Sequence, residues 1–255
     1  MKYKILPLVM GLFIAMSLSA CTNEENQNIS KNAVSSLQDT EEQTEKQQEE
    51  RKILIAYFTR LDNTAATIDE VVQGGGPYGR LGDSLAEADV DAVASASITV
   101  TETEAKGNTE LMAEMIQSIV GGELYSIETN ETYPVDYNTL IEKGGEENSN
   151  DARPELSVHL DNMDDYDTIF IGYPNWWFDM PMAVYSFLEE YDFSGKTVIP
   201  FATSAGSGFS DTISTIQEIL PDANVIEEGL HIHMNDVASG QEEVEYWLKE
   251  IGYTQ

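Results

Sequence analysis

Ile53-Leu54-Ile55-Ala56-Tyr57-Phe58-Thr59-Arg60 is the stretch that decides the fold. Its first six side chains are apolar without interruption, so no face of the segment is left for water, as in a strand covered on both sides. The spacing predicts the central first strand of a sheet. Two runs repeat the pattern: Thr168-Ile169-Phe170-Ile171-Gly172-Tyr173 after Asp164-Asp165-Tyr166-Asp167, and Thr197-Val198-Ile199-Pro200-Phe201-Ala202 after the turn Ser194-Gly195-Lys196. Between them lie segments with helical periodicity. Thr109 to Val120 places Leu111, Met112, Met115, Ile116 and Ile119 on one side and stops at Gly121-Gly122; Pro181 to Glu190 and Asp211 to Leu220 are similar. Glu123 to Glu128 alternates like a half-exposed strand, Asn224 to Ile232 reads as the last strand, and Gln241 to Ile251 closes as a helix. Strands and helices in alternation with short connections require an α/β domain. Its sheet is parallel and doubly wound, with about five strands and helices on both faces.

Residues 65–106 break the rhythm. They stand where a short loop should join the first strand to its helix, and they hold Gly74-Gly75-Gly76-Pro77 and an Ala/Asp/Ser-rich run. They are read as an insertion after the first strand, in which Ile68 to Val72 and Leu85 to Val93 could form short helices. Tyr133-Pro134, Asp151 and Arg153-Pro154 fall in the connection before the third strand and are assigned no chemistry.

The N-terminus points to export. Lys2 and Lys4 precede an apolar stretch from Ile5 to Ala20, and Cys21 follows Leu18-Ser19-Ala20. Residues 1–21 therefore read as a signal peptide. A spanning helix fits less well, because Pro7 and Gly11 interrupt a stretch of minimal length. Leu18-Ser19-Ala20-Cys21 resembles the lipobox of bacterial lipoproteins, which implies lipidation at Cys21 and an extracytoplasmic address on the cell membrane. Cys21 is also the only cysteine, so the exported domain has no internal disulfide and relies on packing. Residues 22–50, rich in Glu, Gln, Asn and Ser, cannot bury enough surface to offset ordering entropy and read as a disordered acidic tether. That leaves residues 51–255 as one domain. A formal charge of −33 repels nucleic acid and anionic headgroups and attracts basic proteins or cations.

Ligands of a doubly wound sheet bind beyond the carboxyl ends of its strands. Three loops leave such ends. The first starts at Thr59-Arg60 and, past the insertion, resumes as Gly107-Asn108-Thr109 at a helix N-terminus, where backbone N–H groups and hydroxyls could hold a phosphate. A competing reading keeps Thr59 to Thr64 as one unbroken loop, with Asn63 as a ligand, but sets the carboxylate of Asp62 beside the phosphate. The second loop, Tyr173-Pro174-Asn175-Trp176-Trp177-Phe178, carries two of the three tryptophans. Two adjacent indoles are not expected to face one core, so Trp176 and Trp177 are candidates to stack on or border a flat ring. The third loop contains Thr203, Ser204, Ala205, Gly206 and Gly208; its small residues could present backbone amides to the other end of that ring. His159, His231 and His233 are read as structural rather than metal-binding. The acidic pairs lack the ordered spacing of a calcium loop.

From Lys52 to about Ile232 the chain resembles the flavodoxin superfamily, in particular its lipoprotein group. The resemblance rests on Ile53 to Arg60, Gly107-Asn108-Thr109, Ile171 to Trp177 and Phe193-Ser194-Gly195-Lys196-Thr197. It implies five strands in the order 2-1-3-4-5 and non-covalent FMN, with the phosphate on Thr59, Arg60, Gly107, Asn108 and Thr109. The ring would lie between the second and third loops, contacted by Pro174, Asn175, Trp176, Trp177, Thr203, Ser204, Ala205, Gly206 and Gly208. The broken phosphate loop departs from the family pattern. The expected role is electron transfer without a catalytic acid or base. Redox proteins or small acceptors such as quinones would be partners, and the lipid anchor would hold the bilayer. Two alternatives stay open: an FMN-dependent NAD(P)H:quinone reductase, and a surface-binding module that has lost the cofactor.

Overall fold

The computed structural model describes residues 51–64, 98–100, 105–134 and 137–254. The leader with Cys21, the tether at 22–50 and the short helices expected at Ile68–Val72 and Leu85–Val93 lie outside the described residues. In chain order the strands are β1 (Ile53–Tyr57), β2 (Ile98–Val100), β3 (Ala105–Gly107), β4 (Glu123–Ser126), β5 (Thr168–Pro174), β6 (Thr197–Ser204), β7 (Asn224–Val225) and β8 (Leu230–His233). The helices are α1 (Asn108–Val120), α2 (Tyr137–Ser149), α3 (Met182–Glu190), α4 (Thr212–Ile219) and α5 (Gln241–Glu250).

The main sheet is parallel throughout and runs β4-β1-β5-β6, with β7 and β8 both on the outer side of β6. By position along the chain this is the order 2-1-3-4-5. Every residue of β1 is buried, and its side chains alternate between two apolar layers. Leu54, Ala56 and Phe58 enter the layer with α2, α3 and α4. Ile53, Ile55 and Tyr57 enter the other, with Met112 and Ile116 of α1 and Val244 and Leu248 of α5. Each fully buried aliphatic or aromatic side chain of this kind contributes about 1.5–3 kcal/mol, which is why the continuous apolar run is obligatory at the centre.

The last strand differs from expectation: it is two short pieces separated by residues 226–229. Ile226 N–H donates to Val198 O and Met234 N–H to Ser204 O, so the even-numbered residues of β6 direct their backbone groups outward. Pro200 is one of these, and it has no N–H to offer. The gap therefore falls opposite the one residue of β6 that cannot donate on that side.

Two other features were not anticipated. The end of the insertion forms an antiparallel hairpin, with Thr99 opposite Lys106, and β3 runs directly into α1. The connection before β5 contains a full helix, α2, despite Gly144-Gly145 at its middle, which weaken helix propensity by roughly 1 kcal/mol each. The glycines have a packing reason: a methyl group at Gly144 would stand 3.6 Å from the Trp176 ring, and one at Gly145 only 3.0 Å from Trp177 Cζ2.

Candidate functional site

The three loops meet at the carboxyl end of the sheet. A methyl group on Gly107 would stand 1.8 Å from Thr59 Oγ1, so the two halves of the divided first loop are in direct contact, and only glycine permits it. As N-cap of α1, Gly107 has no side chain to accept from the leading amides of the helix, while its own N–H donates to Glu110 Oε2 at 3.1 Å. Thr109 Oγ1 lies 3.4 Å from Thr203 Oγ1, which joins the first loop to the third. Asn175 N–H donates to Thr203 O, and its Nδ2 donates to Gly208 O and Ser210 Oγ at 3.0 Å each, which joins the second to the third. Asn108 Nδ2 reaches Met234 O beyond β8. Arg60 is buried and donates from Nη2 to Pro134 O at 3.4 Å.

Asn63 is engaged elsewhere. Its amide donates to Thr59 O and Ile127 O and accepts from Thr129 N–H and Thr129 Oγ1, so every hydrogen-bonding position is occupied in a scaffold that ties β1 to the end of β4. Asp62 accepts from Ser126 Oγ at 2.7 Å. Burial raises the pKa of Asp62 above the usual carboxylate range, and burial together with Asp62 does the same to Glu110. The end of the site where Thr59 meets Gly107 is thus flanked by two carboxyls with raised pKa values.

The rings of both tryptophans are packed against the protein. Trp176 is 5% exposed and packs edge-on against Phe58 and Tyr133, each with centroids 5.4 Å away. Trp177 lies along α2 and donates from Nε1 to Ile141 O at 3.2 Å. Both rings pack against the protein, and the argument that adjacent indoles cannot both pack inward fails for a backbone reason. Trp177 and Phe178 have φ of 56° and 62° and form a two-residue turn closed by paired Trp176–Asp179 backbone bonds. In that turn the second indole swings onto α2. Left-handed backbone costs an L-residue about 1–2 kcal/mol. Asp179 holds the turn, accepting from Tyr185 Oη, Met180 N–H and Asn148 Nδ2. Phe178, 49% exposed, is left at the tip.

The third loop turns on a buried hydroxyl. Ser204 Oγ accepts from Gly206 N–H at 3.1 Å and Gly208 N–H at 3.0 Å, and lies 2.7 Å from His231 Nε2. His233 Nε2 is 2.9 Å from Ala205 O. His231 and His233, neighbours on one side of β8, fasten this loop. Among the described residues, three buried polar atoms here lack a partner: Asn175 Oδ1, Trp176 Nε1 and Ser207 Oγ. Buried polar groups are paired in the great majority of cases, so these three at the ends of β5 and β6 make that region a candidate ligand site. Ser207 was not among the expected site residues; its setting between two glycines was the available signal. Pro174 ends β5 opposite Thr203.

A family model described as flavodoxin matches residues 97–251, more than half of the chain. The chain belongs to the flavodoxin family. The match opens just ahead of Gly107-Asn108-Thr109, so it holds the second half of the divided loop, while β1 and Thr59 lie outside it. Two solved structures share the flavodoxin layout. A candidate flavoprotein from Bacteroides eggerthii is 26% identical with a TM-score of 0.53, covering 78% of this chain and 97% of its own. One from Bacteroides uniformis is 27% identical with a TM-score of 0.53, covering 78% and 98%. No curated protein matches the chain.

Proposed function

We propose that this flavodoxin domain binds FMN at the three converging loops and serves as an electron carrier held to the outer face of the cell membrane through lipidated Cys21. One observation carries the reading: the unpaired atoms at the ends of β5 and β6 offer one acceptor, Asn175 Oδ1, one donor, Trp176 Nε1–H, and one hydroxyl, Ser207. The uracil-like edge of a flavin carries carbonyl oxygens on either side of an N–H, which is the complement of that set. Asn175 cannot simply be flipped, because its Nδ2 already donates to Gly208 O and Ser210 Oγ. Bound FMN supplies the redox chemistry. The chain's own residues hold and shield it: Thr59, Gly107 and Thr109 with the leading amides of α1 at the phosphate, and the loop from Ser204 to Gly208 at the ring edge. Arg60 is the basic residue at the phosphate end.

With a net charge of −33, the protein disfavours added negative charge on the flavin and attracts basic redox partners. Purified protein is expected to be yellow, with flavin absorbance bands, and anaerobic dithionite titration to give a two-electron potential below that of free FMN. A colourless protein that ignores added FMN would leave the fold without the function. Steady-state NADH or NADPH oxidation with a quinone is expected to be slow without a partner reductase; rapid turnover would favour the reductase alternative. Cys21→Ser is expected to release the protein into the medium.

A further inference from the structure

We infer that Ser204 and His231 form a proton-sensitive latch that positions the backbone of the loop from Ser204 to Gly208. A serine hydroxyl has two lone pairs and one hydrogen. Both lone pairs of Ser204 are taken by Gly206 N–H and Gly208 N–H. Its hydrogen must therefore point to His231 Nε2, 2.7 Å away, and that nitrogen must be the bare one, with the ring hydrogen on Nδ1. When His231 gains a proton, Nε2–H becomes a donor. The Ser204 oxygen then faces three donors with two lone pairs, and its own hydrogen has lost its acceptor. One or both glycine amides must let go. Ser204 is fully buried, so no water at that oxygen makes up the loss.

Among the described residues, the titratable groups on the elements around His231 are His233 and exposed carboxylates: Asp236 after β8, Glu227 and Glu228 before it, and Asp211 and Glu218 of the α4 segment. On the ring face lies Phe209, with centroids 6.4 Å apart, which contributes no charge. The hydroxyl arrangement alone opposes protonation, so the latch opens as pH falls through the range where histidine titrates. The loop is the one assigned to the flavin edge, and only the effect on FMN rests on that assignment.

The chain has three histidines, so ¹⁵N-histidine labelling of the full-length protein resolves each ring. At pH 8 His231 is expected to show a bare Nε2 and a protonated Nδ1; its shift in Ser204→Ala distinguishes it from His159, whose Nδ1 faces Glu190. Hydrogen exchange at Gly206 and Gly208, corrected for intrinsic rate, is expected to lose about tenfold in protection between pH 8 and pH 5.5. His231→Gln keeps an acceptor at every pH and is expected to hold that protection at both. A protonated Nε2 on His231 at pH 8, or equal protection of the parent at the two pH values, would overturn the latch; the first needs no variant. FMN affinity is expected to fall with the same pH profile in the parent and not in His231→Gln. A working latch in a protein that binds no FMN would sink the proposed function and leave the latch standing.

Discussion

The aromatic turn at Trp176–Asp179 and the glycine loop at Ser204–Gly208 leave adjacent strands of one sheet and use their residues in opposite ways. In the turn, large side chains pack against Phe58, Tyr133 and α2, and the backbone accepts left-handed geometry at two non-glycine residues to let them. In the loop, side chains are small, and a single buried hydroxyl dictates the backbone. The difference teaches that bulk at a strand end is structural support here, and that the room for a ligand is made where bulk is missing.

The sharpest way to break that comparison is to remove the indoles. Trp176→Ala is expected to destabilise the domain by about 3–5 kcal/mol in urea unfolding of the FMN-free protein, because it opens a cavity among Phe58, Tyr133 and Gly144. Trp177→Ala, at a half-buried ring, is expected to cost about half as much. Were the Trp177 ring a ligand contact instead of support for α2, Trp177→Ala would lower FMN affinity while the unfolding midpoint of the FMN-free protein stayed put.

A finer test uses neighbouring glycines of α2. Gly144→Ala meets the Trp176 ring at ordinary van der Waals distance, so helix propensity wins and a gain of about 0.5–1 kcal/mol is expected. Gly145→Ala meets Trp177 at 3.0 Å, and the crowding is expected to cancel or exceed that gain. Equal gains at both positions would mean that Trp177 does not lie on the helix.

The smallest effect concerns the carboxyls of Asp62 and Glu110. Asp62 and Glu110 have pKa values raised by burial, so the native state holds protons that the unfolded chain releases. Their contribution to stability therefore falls as pH rises from the ordinary carboxylate range through the raised values. Asp62→Asn, which can still accept from Ser126, is expected to raise the thermal midpoint at pH 7 by the equivalent of about 0.5 kcal/mol and to lose the advantage near pH 4. A midpoint that drops at pH 7 would show that the charge of Asp62 is needed.

The sheet was legible because β1, β5 and β6 are long apolar runs, and a run with no polar face has few alternatives to a doubly covered strand. The helix α2 was hidden by Gly144-Gly145, whose purpose appears only when Trp176 and Trp177 are packed on them. The inward packing of the second indole was hidden because spacing arguments assume regular backbone, and two left-handed residues invalidate the assumption. Gly107-Asn108-Thr109 marked the N-terminus of α1, but its contact with Thr59 spans the whole insertion and no local pattern records it. The control of Ser204 by His231 depends in the same way on β6 and β8 lying side by side.

Pro200 has a consequence beyond its own strand. An unbroken outermost strand presents a row of unsatisfied amides and carbonyls on which another molecule's chain can lengthen the sheet. Here the border consists of two residues, an interruption, and four more, so an incoming strand finds no continuous ladder to zip along. One missing hydrogen in the fourth position of the sheet thus doubles as protection against self-association.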